Sequence, residues 1–168
     1  FVFIYINISM AYKGKFTPKN PHKYKGDPTN IIYRSRWELV LMSKFDTHPD
    51  VLQWSSEEEK IPYRSPLDGK IHTYYPDFWV KKINASDRKT VEVLVEVKPY
   101  AQTMEPKPVQ GKPTKRMLNE IATWAVNSAK WRSARVYCSN KKWDFEIITE
   151  KELGLELKKF TPLRGKNK

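Results

Sequence analysis

The chain has 168 residues, enough for one domain with a hydrophobic core. Its 31 Lys and Arg against 19 Asp and Glu give a formal net charge of +12. That excess points to a polyanionic partner, nucleic acid first, with a basic soluble protein or an electrostatic membrane binder as the plainer readings. Aromatic residues at 13% exclude disorder throughout, and the lone Cys138 excludes an internal disulfide and a cysteine-based zinc site.

Residues 1–9 form an apolar run too short to cross a membrane, without the basic start and cleavage site of a signal peptide. Met10 follows, and from Ala11 the composition turns polar and basic. Met10 is expected as the natural start, with residues 1–9 a non-native or upstream segment; an added edge strand is the alternative. Residues 10–30, rich in Lys, Pro, Gly and Asn, read as a basic N-terminal arm. Lys13, Lys15, Lys19, Lys23 and Lys25 are its candidate DNA contacts, against the plainer reading of a loosely ordered terminus.

A helix is expected over 34–46. Ser35-Arg36-Trp37-Glu38 fits a capping box, Leu41, Met42 and Phe45 follow at helical spacing, and His48-Pro49-Asp50 stops it. Short strands follow at 51–54 and 58–63. The turn Pro66-Leu67-Asp68-Gly69 then leads into a strand over 70–82, paired with its predecessor as a hairpin. After a polar loop at 84–90, residues 91–98 alternate with period two, placing four valines on one face. Pro99 ends that strand, and three prolines with Gly111 make 100–113 an irregular loop.

The second helix is expected from Thr114 to about Lys130, with Met117, Leu118, Ile121, Trp124, Ala125 and Ala129 as its apolar stripe. Strands at 135–139, with Cys138 buried, and at 145–149 follow. A second capping box, Thr149-Glu150-Lys151-Glu152, opens a short final helix, and 158–168 form a basic tail. The order defines an α/β domain over 31–157, a mixed β-sheet flanked by α-helices.

Two pieces carry chemistry: Pro76-Asp77 within Tyr-Tyr-Pro-Asp-Phe-Trp-Val, and Glu96-Val97-Lys98 within Leu-Val-Glu-Val-Lys. Two carboxylates can hold a hard divalent cation through oxygen, and a lysine two residues on shares a strand face with Glu96. The plainer readings are an edge-strand Asp77 facing water or paired to an arginine, and a surface Glu96–Lys98 ion pair. The apolar run around Glu96 suits a central strand and weakens the second. Glu38 is the fourth residue of a capping box, yet it lies on the apolar side of its helix, where it could reach the same pocket. Lys112, Lys115 and Arg116, at the start of the second helix, are candidate phosphate contacts or a solvated helix start. His22, His48 and His72 lack metal-ligand spacing, and no Gly-rich phosphate loop is present.

With Glu38, Pro76-Asp77 and Glu96-x-Lys98 in this order, the chain resembles the PD-(D/E)xK nuclease superfamily. It is most similar to the TnsA-like branch, and there to the head-completion proteins of T-even-type tailed phages. The likeness runs from about Met10 to Leu157 and is carried by Lys19-Asn20-Pro21, Tyr24-Lys25-Gly26-Asp27-Pro28, Arg34-Ser35-Arg36-Trp37-Glu38, Trp54, Pro66-Leu67-Asp68-Gly69-Lys70, Tyr75-Pro76-Asp77-Phe78-Trp79, Glu96-Val97-Lys98-Pro99 and Thr149-Glu150-Lys151-Glu152-Leu153.

The resemblance implies a restriction-endonuclease-like core and a Mg²⁺-dependent deoxyribonuclease, with Mn²⁺ as a substitute. It implies Asp77 and Glu96 as metal ligands, Lys98 as the residue that orients or activates water, and Glu38 as a further acid. It also implies DNA and the phage portal or neck proteins as partners, during phage assembly in the host cytoplasm and in the virion. The competing reading is a structural DNA-binding or neck-assembly protein with a vestigial nuclease core. A basic RNA-binding module has no ordered stacking motif behind it.

Overall fold

The computed structural model describes residues 13–107 and 111–153. A four-stranded sheet forms the centre, in the order β3 (Val51–Ser56), β6 (Phe78–Ile83), β7 (Thr90–Val97), β8 (Asp144–Ile148). β3, β6 and β7 are antiparallel, whereas β7 and β8 run parallel, so the sheet is mixed as expected. A parallel pair needs a crossover, and α2 (Lys115–Lys141) supplies it.

The alternation along β7 separates two cores. Val93, Val95 and Val97 point into the first, with Trp54, Phe78 and Val80 from the neighbouring strands. α1 (Arg36–Thr47) closes this side with Leu41 and Met42 buried and Phe45 edge-on to Phe78 at 5.3 Å. Ser35 caps α1 by accepting the Glu38 N–H, the capping box read from the sequence. Leu94 and Trp79 point the other way, where Ala134 and Cys138 of α2 meet Ile61, Tyr63 and Tyr74. Those three belong to a separate hairpin, β4 (Ile61–Arg64) with β5 (Ile71–Tyr74).

The strand expected over 70–82 is therefore two. Pro76, fully buried, has no N–H to give a ladder, so pairing with β4 stops at Tyr74 and pairing with β7 starts at Phe78. The strand expected at 135–139 is instead the last part of α2, which runs to Lys141. No Gly or Pro interrupts 114–141. Ala134 and Cys138, four apart, bury one helical face against the sheet, and this packing outweighs the strand propensity of Val136 and Tyr137. Lys142, in the left-handed region at φ 58°, ends the helix by donating its N–H to the Cys138 and Ser139 carbonyls.

Residues 13–30 of the expected arm pack on the domain. β1 (Gly14–Phe16) pairs with β2 (Ile31–Tyr33) and brings Phe16 and Ile31 into the first core. The Asp46 carboxylate, buried in α1, accepts the Lys19 N–H at 2.8 Å and the Asn20 N–H at 3.1 Å. Tyr24 lies edge-on to Trp54 at 4.8 Å, and the Lys25 N–H donates to the Trp54 carbonyl at 2.8 Å, which covers part of the β3 edge. The segments expected at 1–9 and 158–168 lie outside the described residues. At 149–152 the capping box forms, with the Glu152 carboxylate accepting the Thr149 N–H at 2.8 Å; the helix expected beyond Leu153 falls outside the described residues.

Candidate active site

The site forms where β6 begins and β7 ends. The last pair of their ladder is Phe78 opposite Val95, so the next residue on each strand is Asp77 and Glu96. Both lie on the Leu94 and Trp79 side of the sheet, away from the valines. The break at Pro76 frees Asp77 from the ladder, and its Oδ2 accepts the Val97 N–H at 2.7 Å. Among the described residues no other hydrogen bond reaches this carboxylate.

Glu96 is 3% exposed and fully engaged. Its Oε1 takes the Lys98 Nζ at 2.9 Å, and its Oε2 accepts the Tyr74 hydroxyl at 2.6 Å. Tyr74 ends β5, so the small hairpin reaches over the sheet to hold the central acid. A buried tyrosine needs a partner for its hydroxyl, and Glu96 is that partner.

Glu38 forms the expected cap. Its Oε1 accepts the Ser35 hydroxyl at 2.8 Å and its Oε2 the Arg34 N–H at 2.8 Å, which completes the cap. Its charge also acts on Asp77 and Lys98. The N-terminus of α1 thus adds the charge of a further acid from the other layer. Asp77, Glu96 and Lys98 are brought together, and Glu38 reaches them through its charge and not through a contact.

The electrostatics follow from crowding. Burial first, then the Glu96 charge, pushes the Asp77 carboxyl up to about 8, against the pull of Lys98 and the Val97 N–H. For Lys98, burial favours the neutral amine, but Glu96 and Asp77 outweigh it and its pKa lies above the usual lysine value. Lys98 is therefore a fixed cation at neutral pH and not a proton acceptor. Burial, and then Glu96, raises Tyr74 far above the usual phenol, so its hydroxyl only donates.

The donor set fits a hard divalent cation. Among the described residues no group of three or more His, Cys, Asp or Glu side chains is arranged to hold a metal ion. Two adjacent carboxylates suffice for Mg²⁺, which keeps several waters and takes substrate phosphate oxygens as further ligands. Such an ion would also favour the charged form of Asp77, which burial and then Glu96 disfavour.

The candidate DNA contacts are not joined to this cluster. Lys13, Lys15 and Lys19 are exposed, while the Lys23 Nζ donates to the His48 carbonyl at 2.9 Å. The Lys25 Nζ stands 4.4 Å over the Trp79 ring and 4.0 Å from Glu59. Lys112, Lys115 and Arg116 are exposed at the start of α2, where Arg116 pairs with Glu120 at 2.9 Å. Sequence reasoning missed Tyr74, Arg34 and Glu57. Arg34 grips Glu57 through two hydrogen bonds, and the Glu57 N–H donates to the Asp77 carbonyl at 3.2 Å. The aromatic pair before Pro76 was the available signal for Tyr74; the Arg34–Glu57 pair, 23 residues apart, left none.

The structure thus places two carboxylates and a lysine where β6 begins and β7 ends in a mixed sheet. The sequence pattern of the TnsA-like endonuclease N-terminal domain matches residues 48–150, most of the chain, and the protein belongs to this family. That match contains Asp77, Glu96 and Lys98 and leaves out Glu38. The chain is also 40% identical over 144 residues to the head completion nuclease of Enterobacteria phage T4, covering 84% of this chain and 93% of that protein.

Proposed function

We propose that this protein is a divalent-metal-dependent DNA nuclease of the phage head-completion type, hydrolysing phosphodiester bonds at packaged or branched DNA ends. The observation that carries the reading is the joined cluster of Asp77, Glu96 and Lys98 on one face of the sheet. Asp77 and Glu96 hold the ion, Mg²⁺ with Mn²⁺ as a substitute, and Glu38 adds negative charge from α1. When bound, the ion neutralises phosphate charge and makes water a better nucleophile. Lys98, kept protonated by its two acids, orients the attacking water and stabilises charge developing on the phosphate. Tyr74 fixes the rotamer of Glu96, so that one oxygen remains paired with Lys98 and both stay in place. The net charge of +12 draws in the polyanion, and the exposed cations Lys13, Lys15, Lys19, Lys112 and Lys115 track its backbone. Activity of this kind belongs to phage assembly in the host cytoplasm.

One observation favours a second reading, assembly onto a portal or neck protein. Met104 is exposed beside a groove of about 560 Å³ that Ala101, Pro106, Thr123 and Trp124 also line, between the 100–106 segment and the start of α2, and Leu118 and Ile121 are exposed elsewhere on that helix. Among the described residues no helix is long and apolar enough to cross a membrane.

Cleavage of labelled duplex, flap, branched and single-stranded DNA in Mg²⁺, Mn²⁺ or a chelator decides between the readings. The nuclease reading expects metal-dependent cutting that both Asp77→Ala and Lys98→Ala abolish. DNA binding without cutting in all three proteins would move the assignment to assembly.

A further inference from the structure

Arg34 stands at the mouth of the site without being part of the motif. Its backbone N–H is spent on Glu38, and its guanidinium forms a two-pronged contact with Glu57, Nε to Oε1 at 3.1 Å and a second nitrogen to Oε2 at 2.7 Å. Glu57 is tied in turn to the backbone of Asp77 by its own N–H. The chain of contacts Glu38–Arg34–Glu57–Asp77 therefore joins α1 to the start of β6. Both Glu38 and Asp77 add their charge to that of Glu57 around the guanidinium.

Two features set this ion pair apart from a structural one. It is open to water, with side-chain exposures of 54% for Arg34 and 37% for Glu57. An exposed pair contributes little to stability, so exchanging its partner costs little. Glu57 also holds a left-handed backbone conformation, φ 55°, that side chains other than Gly, Asn and Asp seldom adopt. This turn aims the Glu57 carboxylate at the Arg34 fork, next to Asp77. A carboxylate held bidentately by arginine has the shape and charge of the group that arginine binds equally well, a phosphate.

We propose that Arg34 is a phosphate-binding residue of the active site, and that Glu57 occupies its fork until a phosphate of the DNA backbone displaces it. The inference rests on the nuclease reading for its location and adds a substrate contact to it. Without this exchange the site offers the polyanion Glu38, Glu57, Asp77 and Glu96 with Lys98 as the cation already paired to Glu96. With it, the carboxylate of Glu57 swings out to water and a guanidinium is released towards the strand.

The test uses the full chain and a short fluorescein-labelled DNA duplex. Affinity is measured in chelator across a salt series, and steady-state cleavage in Mg²⁺. Arg34→Ala weakens binding about tenfold. It also makes the dependence of log affinity on log salt shallower by about 0.9, one phosphate contact. Arg34→Lys, which keeps the charge and loses the fork, falls between. Glu57→Gln binds more tightly than wild type, a gain that misfolding does not produce, and the gain disappears in Arg34→Ala/Glu57→Gln. In cleavage, Arg34→Ala raises KM and spares kcat.

The inference is overturned if Arg34→Ala keeps the wild-type affinity and salt slope, or if Glu57→Gln weakens binding as Arg34→Ala does, since the pair is then a structural unit. The two readings fail separately. Cutting by wild type with an unchanged KM in Arg34→Ala removes the inference and leaves the nuclease. The expected binding pattern without any cutting removes the nuclease and leaves Arg34 as a DNA contact.

Discussion

The two faces of β7 are made by the same eight residues and do opposite work. Val93, Val95 and Val97 enter a dry core under α1, where burial of each side chain contributes about 1.5–3 kcal/mol. One residue over, Glu96 is as deeply buried as its valine neighbours, and both of its carboxylate oxygens have polar partners. A buried carboxylate is costly unless paired, so the acid face consumes stability that the valine face supplies. The comparison teaches where selection for fold and selection for chemistry divide: between alternate residues of one strand.

The largest effect comes from moving the chemistry of one face to the other. Val95→Asp places an unpaired charge in the first core and costs about 3–5 kcal/mol, which a far-ultraviolet melt reads as loss of the cooperative transition. The converse change spares the fold. Asp77→Asn lowers the cleavage rate by on the order of 10²–10³, while its melting temperature in chelator equals or exceeds that of wild type, because a neutral amide avoids burying a carboxylate charge beside Glu96.

The acid face also makes stability depend on pH. Asp77 titrates near 3.8 when unfolded and about 8 when folded, so the folded state keeps a proton that the unfolded chain has lost. Its stabilising share is present at low pH and is lost as pH rises through that window. Metal-free wild type is expected to melt at a lower temperature at pH 8 than at pH 5, with a smaller change in Asp77→Asn. A smaller loss of activity follows Tyr74→Phe, about tenfold, because Glu96 keeps Lys98 and loses only the hydroxyl that fixes it. Least affected is the exposed start of α2: Leu118→Ser changes stability by less than about 0.5 kcal/mol in a chemical denaturation series.

The valine face and the motif were legible because both are written locally. Period two marked β7, the capping box and the 3.6-residue pattern marked α1, and Asp77, Glu96 and Lys98 stood out as charges in apolar strands. The remainder depends on contacts between distant residues. Pro76 splits one expected strand, and whether it kinks the run or ends it is decided by what Tyr74 and Phe78 pair with. The end of α2 reads as a strand through Val136 and Tyr137 until Ala134 and Cys138 find the sheet. Lysines dominate the composition of 13–30 and mask Phe16 and Tyr24, the side chains that anchor it. The charge partnership of Arg34 and Glu57 links the residue after β3 to the segment between β2 and α1, and nothing in either local sequence announces it.

The central claim is that the face opposite the valines is a divalent-metal site. Titration of Mg²⁺ or Mn²⁺ into the metal-free full chain by calorimetry, for wild type and Asp77→Asn, tests it most directly. The account predicts saturable binding to wild type with proton release at pH 7, below the Asp77 titration, and loss of both in Asp77→Asn. Equal binding to the two proteins would contradict it and place any metal elsewhere.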